Sequence, residues 1–231
     1  MKRNLLSIMM IGSLLLAACG QKNQENVAQA IYEEDVTPTD IAKVEGRENF
    51  NKAVITPQPA IMIGTYDATE TPNVMMAAWG GQSGPNKIAV FLSHHRTTEN
   101  LRLKRAFTVS FASKANVVES DYFGLVSGND VPDKVARAGF TATKSPNIDA
   151  PIINEYPLTL ECRLIAMEEL KDGSFRVVGR VINTSADTSI MTDGHVDLDK
   201  LQPVIFDATT NTYRVVGEVV GQAWESGKAI Q

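Results

Sequence analysis

Leu158-Thr159-Leu160-Glu161-Cys162-Arg163-Leu164 alternates apolar and polar side chains. It sits inside a longer run, 157–170, which Lys171-Asp172-Gly173-Ser174 separates from a second run at 175–184. A period of two places alternate side chains on opposite faces of an extended chain, which is the pattern of a strand. An Asp-Gly pair between two such runs is a strong hairpin signal, because glycine takes a positive φ without a Cβ penalty. Two long antiparallel strands therefore set the fold class. Working outward, further strands are predicted at 60–66, 73–79, 88–93, 107–111, 203–206 and 213–216. Turns fall at 67–72 and at Gly80-Gly81-Gln82-Ser83-Gly84-Pro85. Helices are predicted at 97–105, 117–126, 132–138 and 217–224. Short strands, Gly/Pro turns and interspersed helices predict a mainly β chain with helices, folded as an antiparallel barrel or sandwich.

The N-terminus has a different texture. Lys2 and Arg3 precede an apolar run at 5–16, too short to cross a bilayer, which takes about 20 apolar residues, but suited to a secretory signal. The run closes on Leu16-Ala17-Ala18-Cys19-Gly20, which resembles the lipobox of bacterial lipoproteins. That resemblance implies cleavage after residue 18 and a diacylglycerol on Cys19. No twin-arginine pair is present, so the chain is expected to cross unfolded. Several acyl chains together hold a protein on a bilayer, and no later segment is apolar enough to span one. Gly20 stands where an Asp marks inner-membrane retention in some Gram-negative bacteria, so the expected place is the cell envelope, the outer membrane in preference to the inner.

Residues 19–50 are polar and acidic, with little apolar periodicity, and are expected to form a flexible tether. A coil of that length has an end-to-end distance of roughly 30 Å. A short helix around 39–50 is a further expectation. The folded domain is then 51–231. The net charge of -5 and the lack of a basic stripe argue against a nucleic-acid partner. Cys19 and Cys162 are the two cysteines. With Cys19 lipidated, Cys162 has no partner, and its place in the alternating run makes it a buried structural thiol.

Two segments carry candidate chemistry. Ser93-His94-His95-Arg96 leads into the helix at 97–105, with Thr97 as the expected N-cap. His95 and Arg96 there stand at the positive end of the helix dipole, an unfavourable place for cations. A bound anion resolves this, since helix amides, hydroxyls and an arginine make a phosphate seat; solvent screening is the bland alternative. Adjacent histidines on a strand point to opposite faces, so His94 and His95 make a poor chelate and no metal site is expected. The second segment is Asn73-Val74-Met75-Met76-Ala77-Ala78-Trp79-Gly80-Gly81. Small Ala77 and Ala78 let a flat ring approach the backbone, with Asn73 as polar handle and Trp79 as aromatic wall. Taken alone, the segment reads more simply as a buried strand ending in a glycine turn.

Together with Ala106-Phe107-Thr108-Val109-Ser110, Asp121-Tyr122-Phe123-Gly124-Leu125-Val126-Ser127-Gly128 and Gly217-Glu218-Val219-Val220-Gly221, these blocks resemble, in order, the flavin reductase family, especially its flavoredoxin-like branch. The resemblance implies an antiparallel, Greek-key-like split β-barrel that binds FMN, and a homodimer with FMN near the subunit interface. Carried over by position, Asn73, Ala77, Ala78 and Trp79 meet the flavin ring or ribityl chain. Ser93, Arg96, Thr97 and Asn100 hold the phosphate side, with Lys134 a further contact. His94 and His95 depart from the family pattern. No side-chain acid or base is compulsory when a flavin does the redox chemistry, so no catalytic residue is named. The expected function is an FMN-dependent oxidoreductase that passes electrons to a small molecule or a protein. The alternatives are a non-catalytic barrel that stores FMN or binds haem, and a purely structural lipoprotein.

Overall fold

The computed structural model describes residues 42–50 and 53–231. Cys19, the signal segment and most of the expected tether lie outside them. The chain divides into two units, residues 1–51 and 52–231. Of the first, 42–50 hold a turn closed by Arg47 N donating to Val44 O, and no helix. Among the described residues no helix is long and apolar enough to cross a membrane.

The second unit starts with β1 (Gln58–Pro59), β2 (Ile61–Tyr66), β3 (Pro72–Ala77), β4 (Gly80–Gly84) and β5 (Lys87–Leu92). Helix α1 (Arg96–Lys104), β6 (Ala106–Phe111), α2 (Val117–Leu125) and α3 (Lys134–Arg137) follow, then β7 (Ala142–Lys144) and β8 (Pro151–Ile153). The long pair is β9 (Leu158–Glu169) and β10 (Phe175–Ala186). The chain ends with β11 (Met191–Thr192), β12 (His195–Val196), α4 (Leu198–Leu201), β13 (Val204–Asp207) and β14 (Thr212–Val215).

The expected hairpin is present. Gly173 sits at φ +79, Leu170 N donates to Ser174 O at 2.8 Å, and Asp172 Oδ1 accepts from Ser174 N at 2.9 Å. Around it the main sheet runs β3-β2-β6-β9-β10-β5-β4, antiparallel throughout. Its two edges, β3 and β4, are joined by Ala78 and Trp79 alone, which brings the ends of the sheet together as a split barrel. Alternation sorts the core. Ile61 and Ile63 of β2 join Val90, Phe107, Val109, Cys162 and Val177 inside the barrel. Ala60 and Met62 pack outward against Val74, Phe123, Val135 and Phe140, beneath α2 and α3. A strand covered on both faces is buried at every position, as β2 is. Cys162 is fully buried, and burial, then the neighbouring Glu161 charge, push its thiol up to about 12. It is structural and inert.

Four expectations are corrected. Gly80–Gly84 is an edge strand, paired with β5, and not a turn; tertiary pairing overrides weak strand propensity, and the reversal falls at Pro85 and Asn86. Helix α1 begins one residue early, with His95 and not Thr97 as its N-cap. Thr98 Oγ1 fixes that start, accepting from His95 N at 3.0 Å and donating to His95 O at 2.7 Å. The helix expected at 132–138 is a single turn, α3. The helix expected at 217–224 is absent: two glycines and adjacent β-branched valines disfavour it, and no surface is packed against it.

Candidate functional site

Beside the barrel, between β3, the start of α1 and α2, two contiguous cavities share Met75, Met76, His95, Gly124 and Leu125. The larger, about 330 Å³, is walled by Trp79, Phe91, Phe206 and Tyr213, with Ala77 and Ala78 on its floor and Ser93 and Asp121 at its polar points. The smaller, about 220 Å³, is polar: Asn73, Arg96, Thr97, Ser127, Gly128 and Lys134 line it. An apolar aromatic slot opening into a polar pocket suits a flat ring bearing an anionic tail.

The sequence-predicted residues divide between these compartments. Ala77, Ala78, Trp79 and Ser93 line the larger, and Asn73, Arg96, Thr97 and Lys134 the smaller. Trp79 is 65 % exposed, so it forms a rim and not a closed wall. Asn100 lines neither cavity: it is buried, and its amide donates to Thr65 Oγ1 at 3.1 Å. It pins α1 to β2 and reaches the cavities only through the helix it holds.

The charges are arranged differently from the expectation. Arg96 pairs with Asp67 at 2.8 Å and with Glu99 at 3.7 Å. Its conflict with the helix dipole is thus resolved by these carboxylates, without recourse to a bound anion. Burial alone would raise the Asp67 carboxyl, but amide and hydroxyl donors from Thr71 and Thr69, then Arg96, hold it down at about 2. His95 is pushed below the ordinary histidine value by burial, then by His94 and Lys134, so it is largely neutral near pH 7 and does not oppose the dipole.

Lys134, in the wall of the smaller cavity, is matched differently from Arg96. It is 2 % exposed, and its ammonium donates to Val126 O at 2.7 Å and Phe123 O at 3.3 Å, carbonyls at the C-terminal end of α2. No carboxylate pairs with it among the described residues, and burial pushes it down to about 8. An ammonium has three donors; two are spent on carbonyls in a cavity wall, which leaves one for an anion. The amides of Arg96 and Thr97 add the orphan donors of a helix start. Asn73 supplies an acceptor: its Nδ2 donates to Thr97 Oγ1 at 2.9 Å, while its Oδ1 is buried without a partner. A buried amide oxygen without a donor is costly, and a hydroxyl-bearing ligand in this cavity satisfies it. These residues fit a flavin mononucleotide. Among the described residues no group of three or more His, Cys, Asp or Glu could hold a metal ion.

Sequence reasoning assigned no site role to Asp121, Phe206, Tyr213 and Gly128. Tyr213 O–H donates to Asp121 Oδ1 at 2.7 Å and approaches Met76 Sδ at 3.2 Å. Burial, then Asp121, raises the phenol. Asp121 and Gly128 lie in the block already quoted for the family resemblance. Phe206 and Tyr213 arrive from the second sheet, β1-β13-β14, and carry no local signal.

Residues 54–200 match the family described as flavin reductase like domain. The chain is similar to flavoredoxin of Desulfovibrio vulgaris (Miyazaki F), with 34% identity over 81% of this chain and 100% of that one, at a TM-score of 0.72. It is also similar to flavoredoxin from Methanosarcina acetivorans, with 26% identity over the same shares and a TM-score of 0.74. A flavin reductase with a split barrel domain from Shewanella frigidimarina, at 19% identity over 73% of this chain and 87% of that one and a TM-score of 0.64, shares the fold. Ordered motif, split-barrel topology and matched residues agree, and the chain belongs to the flavin reductase like domain family.

Proposed function

We propose that this protein is an FMN-dependent oxidoreductase of the cell envelope, held at a membrane by lipid on Cys19. The observation that carries the cofactor is the pairing of an aromatic slot with a polar pocket whose buried Lys134 has no carboxylate partner among the described residues. Bound FMN supplies hydride and electron transfer at its ring; the chain supplies binding, orientation and shelter from water. Ala77 and Ala78 admit the ring against the backbone, Trp79 and Tyr213 flank it, and Met75 and Met76 fill the floor. Asn73 Oδ1 accepts from a hydroxyl of the sugar chain, and Lys134, Thr97 and the α1 amides hold the phosphate. Ser93 and Arg96 complete the lining, and Asn100 positions α1.

Location restricts the electron source. The envelope is not expected to supply nicotinamide nucleotides as the cytosol does, so the donor is an envelope or membrane redox carrier, and the acceptor a small molecule or a protein. The purified protein is expected to be yellow or to bind added FMN, and to be reduced anaerobically. A colourless protein that refuses FMN overturns the cofactor; rapid, selective turnover with NAD(P)H together with a cytosolic location overturns the donor.

Gly128 tests the pocket. A Cβ there would lie 2.3 Å from Asn73 Oδ1 and 3.2 Å from Arg96 Cγ. Overpacking of this kind costs about 1–3 kcal/mol. Gly128→Ala is therefore expected to displace the Asn73 amide and weaken FMN binding roughly tenfold, read by fluorescence titration; unchanged affinity would place the ligand elsewhere.

A further inference from the structure

The wall of the larger cavity carries a single acid. Asp121, Gly124 and Leu125 stand at i, i+3 and i+4 on α2, so one face of that helix meets the cavity. The other titratable side chains in the lining are His95 and Tyr213. Burial, foremost, pushes the histidine below its ordinary value and the phenol above its own. Both are therefore largely neutral near pH 7, which leaves the Asp121 carboxylate as the charged group beside the ring's place.

Its surroundings do not cancel that charge. Tyr213 O–H donates to Asp121 Oδ1 at 2.7 Å, and among the described residues no cation pairs with this carboxylate. A carboxylate offers about four acceptor sites, so one phenol occupies a small part of it. Met76 Sδ lies 3.2 Å from the same phenol oxygen, and an apolar wall weakens a charge's field far less than water does. Lys134, the cation of the adjoining pocket, faces the phosphate side. Joining β14 to α2 needs only an acceptor, which a neutral amide also offers; what the carboxylate adds is charge at the ring.

We propose, resting on FMN as the cavity's occupant, that Asp121, held in place by Tyr213, lowers the reduction potential of the bound flavin and so favours the passing on of electrons. Reduction of the ring by two electrons with uptake of one proton makes its net charge more negative by one. The carboxylate opposes that added charge and has no such effect on the neutral oxidised ring. A neighbouring charge moves a proton equilibrium by about one to three powers of ten, and an electron equilibrium answers to the same field. Asp121 and Tyr213 are half-buried, so the lower end applies. Tyr213 is a positioning residue: it acts through Asp121, by donating to it and drawing off part of its charge. A carrier able to load this ring then has to be a stronger reductant than a ring free of that charge would require.

Full-length protein loaded with FMN, titrated anaerobically with dithionite against a reference dye at one pH near neutrality, tests this. Asp121→Asn keeps an acceptor for Tyr213 and removes the charge. It is expected to raise the potential by about 30 mV, tenfold in the two-electron equilibrium constant. Asp121→Glu, which keeps the charge, is expected to stay near the wild-type potential. Tyr213→Phe removes one oxygen and is expected to lower the potential by a smaller step, about threefold or 15 mV. That step is expected to vanish once Asp121 is replaced by asparagine. An Asn variant at or below the wild-type potential overturns the proposal. So do Asn and Glu variants that shift it equally, which makes packing and not charge the cause. A Tyr213→Phe step that persists undiminished beside Asp121→Asn overturns the positioning role. A wild-type protein that takes no FMN overturns the flavin assignment and this inference together, whereas bound FMN with an unmoved potential overturns this inference alone.

Discussion

Replacing Lys134 by methionine is expected to raise the Kd for FMN by roughly thirtyfold while changing that for riboflavin little. The size follows from what is removed. A hydrogen bond to a charged group contributes about 2 kcal/mol net, and each 1.4 kcal/mol is about a factor of ten. Comparing the two ligands separates the phosphate role from a structural one. Lys134 also caps α2 through Phe123 O and Val126 O, a favourable place for a cation. If that were its whole contribution, both ligands would lose affinity together.

The same lysine makes binding depend on pH. Its folded value is lowered from 10.5 to about 8 by burial, so the unfolded chain holds this proton more firmly than the folded one. The cost of burying the charge is present below about 8 and is relieved as the pH rises toward 10.5. An anion inverts this preference, because it binds the protonated form. FMN affinity is therefore expected to fall as the pH rises through about 8, and the Lys134→Met variant to be flat there. A phosphate monoester loses its second proton near about pH 6, which sets the acid limb in both proteins. Titrations from acid to alkaline pH check it; a wild-type profile level through the alkaline range would remove Lys134 from the phosphate seat.

How far the sequence could lead is clearest at particular residues. The β9–β10 hairpin was legible because its signals are local: alternation, and an Asp-Gly at the reversal. Ala77 and Ala78 were legible as floor because small size matters wherever the strand lies. Gly80–Gly84 was misread because its strand state comes from pairing with β5, a partner that its own glycines do not announce. Arg96 was read as a cation met by either an anion or solvent screening, since Asp67 is twenty-nine residues away and the pair exists only once β2 and α1 meet. Lys134 was read as an accessory, since a burial that strips a lysine of carboxylates is a tertiary fact. Tyr213 could not be found at all, because its position against Asp121 needs the second sheet in place.

The other large effect lies away from the cavities. Glu161 on β9 is 1 % exposed, and three side chains satisfy it. Ser145 Oγ donates to Oε1, Asn147 Nδ2 to both oxygens at 3.2 and 3.0 Å, and Asn183 Nδ2 to Oε2 at 2.5 Å. Burial alone would raise the carboxyl; the hydrogen bonds from Ser145, Asn183 and Asn147 bring it below the ordinary value. The carboxylate thus fastens the loop after β7 and the facing strand β10 to the barrel. Glu161→Ala strands three donors and forfeits bonds to a charged group, at a cost of about 3 kcal/mol. For a domain of this size that lowers Tm by roughly 10 °C. Stability rises with pH here as it does for Lys134, because the unfolded chain again holds the proton more firmly. The effect falls in the acid range, however, and is a gain that acid removes. A carboxyl depressed in the folded state stabilises above its unfolded value of 4.5, and the contribution is lost as the pH falls through the folded value. Glu161→Gln, which cannot ionise, is expected to start less stable near neutrality and to lose less stability than the wild type on acidification. Neither variant changes a cavity wall, so FMN affinity measured well below Tm is expected to stay at the wild-type level. Thermal melts at two pH values decide the stability claim. Equal acid sensitivity of the Gln variant and the wild type would show that some other carboxylate sets the acid limb of the fold.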